Sequence, residues 1–323
     1  MKKIAILVLD GVMDSSLAIT LDTLRAAQLF LKSTHAKQQV EIQTVGFRKY
    51  AVTGAGLRIT LDRTFKAAQE KYDANDWIIM PAPGLRSDVE IDARLAQADA
   101  IKAMQWLGSV ARGGVRVGTS CSGSFLLAQA GLLTGRNATT TWWLARTFRE
   151  RFPDVNLDET RMLVRDGTRW TAGAAFSQLD LVLAIVTDVM GPAVAHLCSR
   201  YLLIDQRPSQ ARYMMQDHLL NTDTTVIAAQ RWIDANLASP ITIGTLSSEL
   251  AVAPKTLARR IEAVTGVSPI KFVQRRRLTH AAHLLETTSL SIEEIAAQVG
   301  YRDGTALRKL VKREFGITPS AMR

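Results

Sequence analysis

Over the first 205 residues, short apolar runs alternate with segments of helical period. "KIAILVL", "VEIQTVG", "DWIIMPAPG" and "GVRVGTS" read as strands, and "SLAITLDTLRAAQLFL" and "QADAIKAMQWLGSVAR" repeat their apolar residues every three or four positions. Fully apolar strands alternating with helices predict a parallel sheet covered on both faces. The stretch "QRPSQARYMMQDHLLNTDTT" is polar and has no period of its own, which predicts a linker. Beyond it every apolar pattern is helical. The expected organisation is an α/β domain over 1–205, a linker over 206–222 and an all-α domain over 223–323.

The second domain contains a repeat. Thr242, Leu246 and Ala251 match Ser291, Ile295 and Gly300 at an offset of 49, and Leu257, Arg259, Gly266 and Pro269 match Leu307, Lys309, Gly316 and Pro319 at an offset of 50. One residue has entered the turn between two helices, so a single supersecondary unit occurs twice. Each copy opens on an N-cap residue, turns after a short amphipathic helix, and enters a second, basic helix that ends at glycine. That is the pattern of a helix-turn-helix, whose second helix fits a major groove.

Charge agrees with this reading. Of a net +10, half lies from Asp223 onward, where 14 Lys and Arg face 9 Asp and Glu, including the run Arg275, Arg276 and Arg277. Such a basic segment suits a polyanion or forms a solvated face.

The phrase "A..LL.....SI.EIA..VGY" is present as Ala282, Leu284, Leu285, Ser291, Ile292, Glu294, Ile295, Ala296, Val299, Gly300 and Tyr301. With "FGITPSAMR" after it, the last hundred residues resemble the DNA-binding domain of the AraC/XylS family of transcription regulators. The resemblance implies a helix near Pro269 to Glu286 that holds two readers at the spacing of successive major grooves of double-stranded DNA. It assigns Lys255, Thr256, Ala258 and Arg259 to the first reader and Thr305, Arg308 and Lys309 to the second. Arg259 and Arg308 are the expected bidentate guanine contacts, while Arg260 and Lys312 are expected on phosphate or in water. Gly304 has low helix propensity, from which weaker base discrimination by the second unit is expected.

In the first domain, "GVRVGTSCSG" sets Cys121 where a strand meets a helix, the position of a nucleophile elbow. A nucleophile needs a base and oxyanion donors as well. The five histidines are His35, His196, His218, His280 and His283, none near the cysteine in sequence. The two cysteines, Cys121 and Cys198, make no disulfide framework and no metal-ligand spacing, so no metal or cofactor is expected.

From "KIAILVLDG" through "CSGSFLLAQAGLLTGRNATTTWW" to "TAGAAFSQLDLVLAIV" the domain resembles the class I glutamine amidotransferase-like superfamily, in its protease-like and isonitrile-hydratase-like branch. It resembles most the sensor domains of regulators that join this flavodoxin-like fold to an AraC-type reader. The resemblance implies a catalytic histidine where Thr141 stands, a carboxylate where Ser16 stands with Asp14 two residues away, and an oxyanion-loop glycine where Pro83 removes an N–H. The expectation is a degenerate site that senses a small molecule, an effector of the nitrogenous-metabolite kind, in a pocket lined by Asp14, Ser16, Pro83, Gly84, Cys121, Ser122, Thr141 and Trp142. An active cysteine hydrolase or hydratase and a Cys121 redox switch are the competing readings. A cytoplasmic homodimer with no membrane span is expected.

Overall fold

The computed structural model describes residues 1–33, 39–65, 72–205, 207–214 and 223–323. They form two compact units, Met1–Arg207 and Pro208–Arg323. Only residues 207–214 of the segment expected as a linker are described. His35 and His218 lie outside the described residues.

In chain order, the first unit contains β1 (Lys2–Leu7), α1 (Asp14–Ser33), β2 (Val40–Gly46), β3 (Tyr50–Val52), β4 (Arg58–Thr60), β5 (Arg63–Thr64), β6 (Trp77–Met80), α2 (Asp88–Leu95), α3 (Ala98–Ala111) and β7 (Arg116–Ser120). It continues with α4 (Gly123–Gln129), β8 (Asn137–Ala138), α5 (Ala145–Arg151), β9 (Asn156–Leu157), β10 (Leu163–Asp166), β11 (Arg169–Ala172), α6 (Gln178–Met190) and α7 (Pro192–Tyr201). Seven strands pair in the order β10-β11-β7-β6-β1-β2-β5. Side-chain alternation along β1 builds both faces: Ile4 and Ile6 pack with α1, α6 and α7, whereas Ala5 and Leu7 pack with α3 and α4.

The sheet is parallel except at one edge, where β10 pairs antiparallel to β11. Asp166 and Arg169 face each other across this ladder, leaving a two-residue turn with Gly167 at φ 55°. Glycine in this turn is the hairpin signal for the edge, and the rest of the seven-stranded sheet is parallel, as expected.

The second unit contains α8 (Thr224–Ala235), α9 (Ile243–Glu249), α10 (Pro254–Thr265), α11 (Pro269–Thr287), α12 (Ile292–Gln298), α13 (Gly304–Phe315) and α14 (Pro319–Met322). It has two hydrophobic cores. Phe272 and Val273 from the first half of α11 join α8, α9 and α10, while Leu278, Ala281 and Leu285 from its second half join α12, α13 and α14. One 19-residue helix is thus the spine of both copies. Thr242 and Ser291 each close a capping box, and Gly266 and Gly316 end α10 and α13 in the left-handed conformation. The segment next to the first unit's boundary also docks: Ser209 Oγ donates to the Glu314 carbonyl at 3.0 Å. No helix among the described residues is long and apolar enough to cross a membrane.

Candidate functional site

β7 delivers Cys121 to the carboxyl edge of the sheet at φ 50°, a conformation that costs a non-glycine residue energy and marks an elbow. The turn is held from three directions. Its N–H meets the carbonyls of Ala172 and Gly173 at the end of β11, and its carbonyl accepts from Thr140 Oγ1 at 3.0 Å and Ser124 Oγ at 2.9 Å. Gly123 is required next, because a Cβ there would collide with Thr119 Oγ1, itself donating to the Met80 carbonyl. All of the "TTT" run is fully buried: Thr140 holds the elbow carbonyl, while the Thr139 N–H donates to Thr171 Oγ1 and its hydroxyl to the Arg161 carbonyl.

The thiol is 2% exposed. Burial pushes the Cys121 thiol above its ordinary range, and the neighbouring Ser122 N–H and the Thr141 and Ser122 hydroxyls offset this only in part. Thr141 Oγ1 is buried beside the thiol, and a threonine hydroxyl is no general base near neutral pH. Of the described histidines, His196 is exposed on α7, and His280 and His283 are exposed on α11. Cys198 is buried in the core between α1, α6 and α7 and is likewise pushed up, to about 11, by burial.

Of the eight residues expected to line one pocket, Ser16, Pro83, Gly84 and Ser122 meet at the 82–85 loop, and Ser122 adjoins Cys121 and Thr141. Ser122 Oγ donates to the Pro83 carbonyl and accepts from Leu85 N–H at 3.4 Å. Ser16, also fully buried, accepts from Ala82 N–H at 3.2 Å. Both serines thus brace the 82–85 loop, and Gly84 is exposed on it. Asp14 bonds to the β3–β4 hairpin: its carboxylate accepts from Thr53 Oγ1 at 2.5 Å and from Ala55 N–H at 3.0 Å, bonds that hold its pKa below the usual range. Trp142 is 6% exposed and packs edge-on against Trp143.

Above that loop opens a cleft of about 500 Å³ lined by Asp10, Gly11, Val52, Thr53, Pro83, Leu85, Glu90, Ala93, Arg94 and Gln97. Pro83 is the residue it shares with the expected pocket. Arg94 is buried in a bidentate pair with Asp99, which also accepts from Asp10 N–H at 3.0 Å. Burial works to raise the Asp99 carboxyl, but Arg94 and the Asp10 N–H hold it below its usual range. Nothing in the residue pattern marks this cleft, because its wall comes from the turn after β1, the β3–β4 hairpin, the 82–85 loop and α2, segments far apart in the chain.

On the second unit, α10 exposes Lys255, Arg259 and Arg260, with Thr256 and Ala258 half-buried, and α13 exposes Thr305, Arg308, Lys309 and Lys312. Two arginines already have partners. Arg260, expected on phosphate or in water, reaches Thr225 Oγ1 at 2.6 Å and Asp223 at 3.5 Å, at the start of α8. Arg308 donates to Glu293 Oε1 at 3.0 Å. The arginine run turns inward as well. Arg275 pairs with Glu314, Arg276 grips Asp234 at 2.6 and 2.8 Å, and Arg277 donates to the carbonyls of Ser239 and Gly300. These three residues tie the spine helix to α8, to the turn after it and to the second copy, which corrects the view of the run as a free basic face.

Gly304 also has a different meaning. A Cβ at this position would lie 2.6 Å from Glu293 Oε1 and 3.0 Å from Ile292 Cγ2. Its bare Cα lets α12 and α13 approach closely, a role separate from helix propensity.

A flavodoxin-like α/β unit with a cysteine elbow, followed by two helix-turn-helix copies on one spine, defines a class of two-part protein. The chain belongs to the DJ-1/PfpI family, whose model matches residues 2–188. A helix-turn-helix domain model matches residues 246–323. The chain is similar to the HTH-type transcriptional regulator GbdR of Pseudomonas aeruginosa, 28% identical over 217 residues that make up 66% of this chain and 59% of that protein. It is similar to the HTH-type transcriptional regulator GlxA of Rhizobium meliloti, 29% identical over 234 residues and 70% of each chain. The chain thus spans about 59% to 70% of the length of these relatives. In fold it is similar to a THiJ/PfpI family protein from Pseudomonas syringae, with a TM-score of 0.51 and 23% identity over 64% of this chain and 76% of that one. A cysteine-to-alanine mutant of a DJ-1 superfamily protein from Salmonella typhimurium has a TM-score of 0.50 and 17% identity over 64% of this chain and 100% of that one.

Proposed function

We propose that this chain is a transcriptional regulator whose second unit reads duplex DNA in the major groove and whose first unit binds a small-molecule effector without catalysing a reaction on it. The observation that carries the reading is the pair of matched helices on one spine, presenting Lys255 and Arg259 from α10 and Thr305, Arg308, Lys309 and Lys312 from α13. Exposed cations on two basic helices, with Arg259 and Lys309 at the same repeat position, suit successive groove contacts. The relatives' names as transcriptional regulators support the same function.

Loss of catalysis follows from the chemistry around Cys121. Its thiol is buried, its pKa is raised, and the residue in the position of the base is Thr141. Ser16 in the carboxylate's position spends its hydroxyl on a loop N–H. The effector site of this proposal is the Pro83 cleft, where the Glu90 carboxylate suits a nitrogenous, positively charged compound and Asp10 is paired with Arg48. The 82–85 loop joins that cleft to the buried elbow. A homodimer through the first unit completes the proposal, in keeping with closed pairing as the commonest assembly.

Selection of duplexes from a random pool by the purified full-length chain is the direct test. The expected product carries two short base blocks about one helical turn apart, roughly 10 base pairs. Arg259→Ala should lose about 1–3 kcal/mol of preference for the selected duplex over a scrambled one. Equal affinity of the wild-type chain for selected and scrambled DNA sinks the reading. The same assay tests the cleft: an effector must shift this affinity in the wild type and fail to do so in Glu90→Ala.

A further inference from the structure

The two helix-turn-helix copies match in sequence, yet one contact exists in only one of them. In the second copy, Glu293 near the start of α12 lies over Gly304 and accepts from Arg308 Nη2 at 3.0 Å, one helical turn further along α13. At the repeat offsets, these three positions correspond to Gly244, Pro254 and Ala258 in the first copy. Carboxylate, bare Cα and guanidinium are therefore all present in one copy and all missing from the other. They work together: the bare Cα leaves room for the carboxylate, and the carboxylate reaches the guanidinium.

Stability does not account for this contact. Both side chains are at least half exposed, at 50% and 64%, and an ion pair that open to water contributes little to folding. It does restrict the rotamers of a long side chain that otherwise loses much freedom on binding. An arginine whose planar fork is already oriented is better suited to paired acceptors on a base edge. We propose that Glu293 is a positioning residue of the second reader, holding the Arg308 guanidinium in the orientation in which it recognises a base. The inference rests on the DNA-reading function proposed above. It reverses the expectation drawn from Gly304, since the glycine is what admits the device.

The test uses the full-length chain and the duplex selected by the wild type, together with single-base variants of it. Glu293→Ala and Glu293→Asp, the latter keeping the charge but shortening the reach, are both expected to lose roughly 5- to 10-fold discrimination at one base pair of the second block. Arg308→Ala should lose discrimination at that same pair, and the double variant Glu293→Ala/Arg308→Ala should lose no more than Arg308→Ala alone. Thermal melting of each variant, expected to match the wild type, separates this from misfolding. Wild-type discrimination in both Glu293 variants overturns the proposal, as does an equal change of affinity for every duplex, which is the mark of bulk charge. If the wild type enriches no sequence, the DNA-reading function itself fails, and this inference falls with it.

Discussion

Cys121 takes φ 50° because β7 must turn abruptly into α4, and the hydroxyls of Ser124 and Thr140 fix the strained carbonyl. Cys121 is also buried away from water. A buried thiol is harder to ionise, so at neutral pH the reactive thiolate is scarce. Iodoacetamide at pH 8 should leave Cys121 unmodified in the folded chain and label it after denaturation. The linkage has a definite sign. Both thiols have folded pKa values raised by burial, so their contribution to stability is complete below the ordinary thiol pKa of about 9 and is lost as pH rises through the folded values. The urea midpoint should fall from pH 9 toward 11, and a flat profile, or rapid labelling of the folded chain, contradicts this account. At this scale the amino-acid sequence is informative about identity and poor about environment. The expectation that Thr141 stands in a base's position comes from "ATTTWW", whereas the hydrogen-bond partners of Asp14 and Ser16 cannot be read from the chain.

At the scale of elements, the repeat shows what pattern can and cannot specify. The caps at Thr242 and Ser291 and the helix-ending Gly266 and Gly316 are local features, because each is decided by bonds within a few residues. All four are legible in the chain. The turns between the paired helices differ in a telling way. Gly300 has φ 74° and a backbone carbonyl, that of Leu237, pressed where a Cβ would be, while its counterpart Ala251 has φ 50° with a methyl group. Alanine in this left-handed region costs energy that glycine does not. Ala251→Gly should stabilise the second unit by about 1 kcal/mol, read as a rise in the urea midpoint, and a fall would show that Ala251 is not strained. Arg275, Arg276 and Arg277 make the opposite case. Their sequence suggests a free basic run, but consecutive residues on a helix point in different directions, and each of these finds a different partner.

At the scale of the whole molecule, two units with separate cores divide the work proposed for them. Leu29, Leu197, Tyr201 and Leu203 are exposed apolar residues on α1, α7 and the turn after it, adjacent helices joined by the edge contact of Phe30 with Tyr201. Exposed apolar side chains of this size favour self-association. Light scattering of the full chain should therefore give twice the 35.5 kDa mass of one copy, and Tyr201→Lys with Leu203→Lys should shift it toward one. A wild-type mass of 35.5 kDa rules out the proposed homodimer.

The linear pattern determined what depends on neighbours in the chain: strands that alternate with helices, a doubled helical unit with its caps, and an elbow cysteine with no histidine near it in sequence. Periodicity and capping are local, so they survive in one dimension. Tertiary structure alone decided what depends on distant segments meeting. It shaped the cleft walled by Asp10, Val52, Pro83 and Glu90, turned the arginine run inward, and set Glu293 across Gly304 against Arg308. Those arrangements are contacts between elements, and a hydrogen bond across 15 or 40 positions leaves no period for a sequence to display.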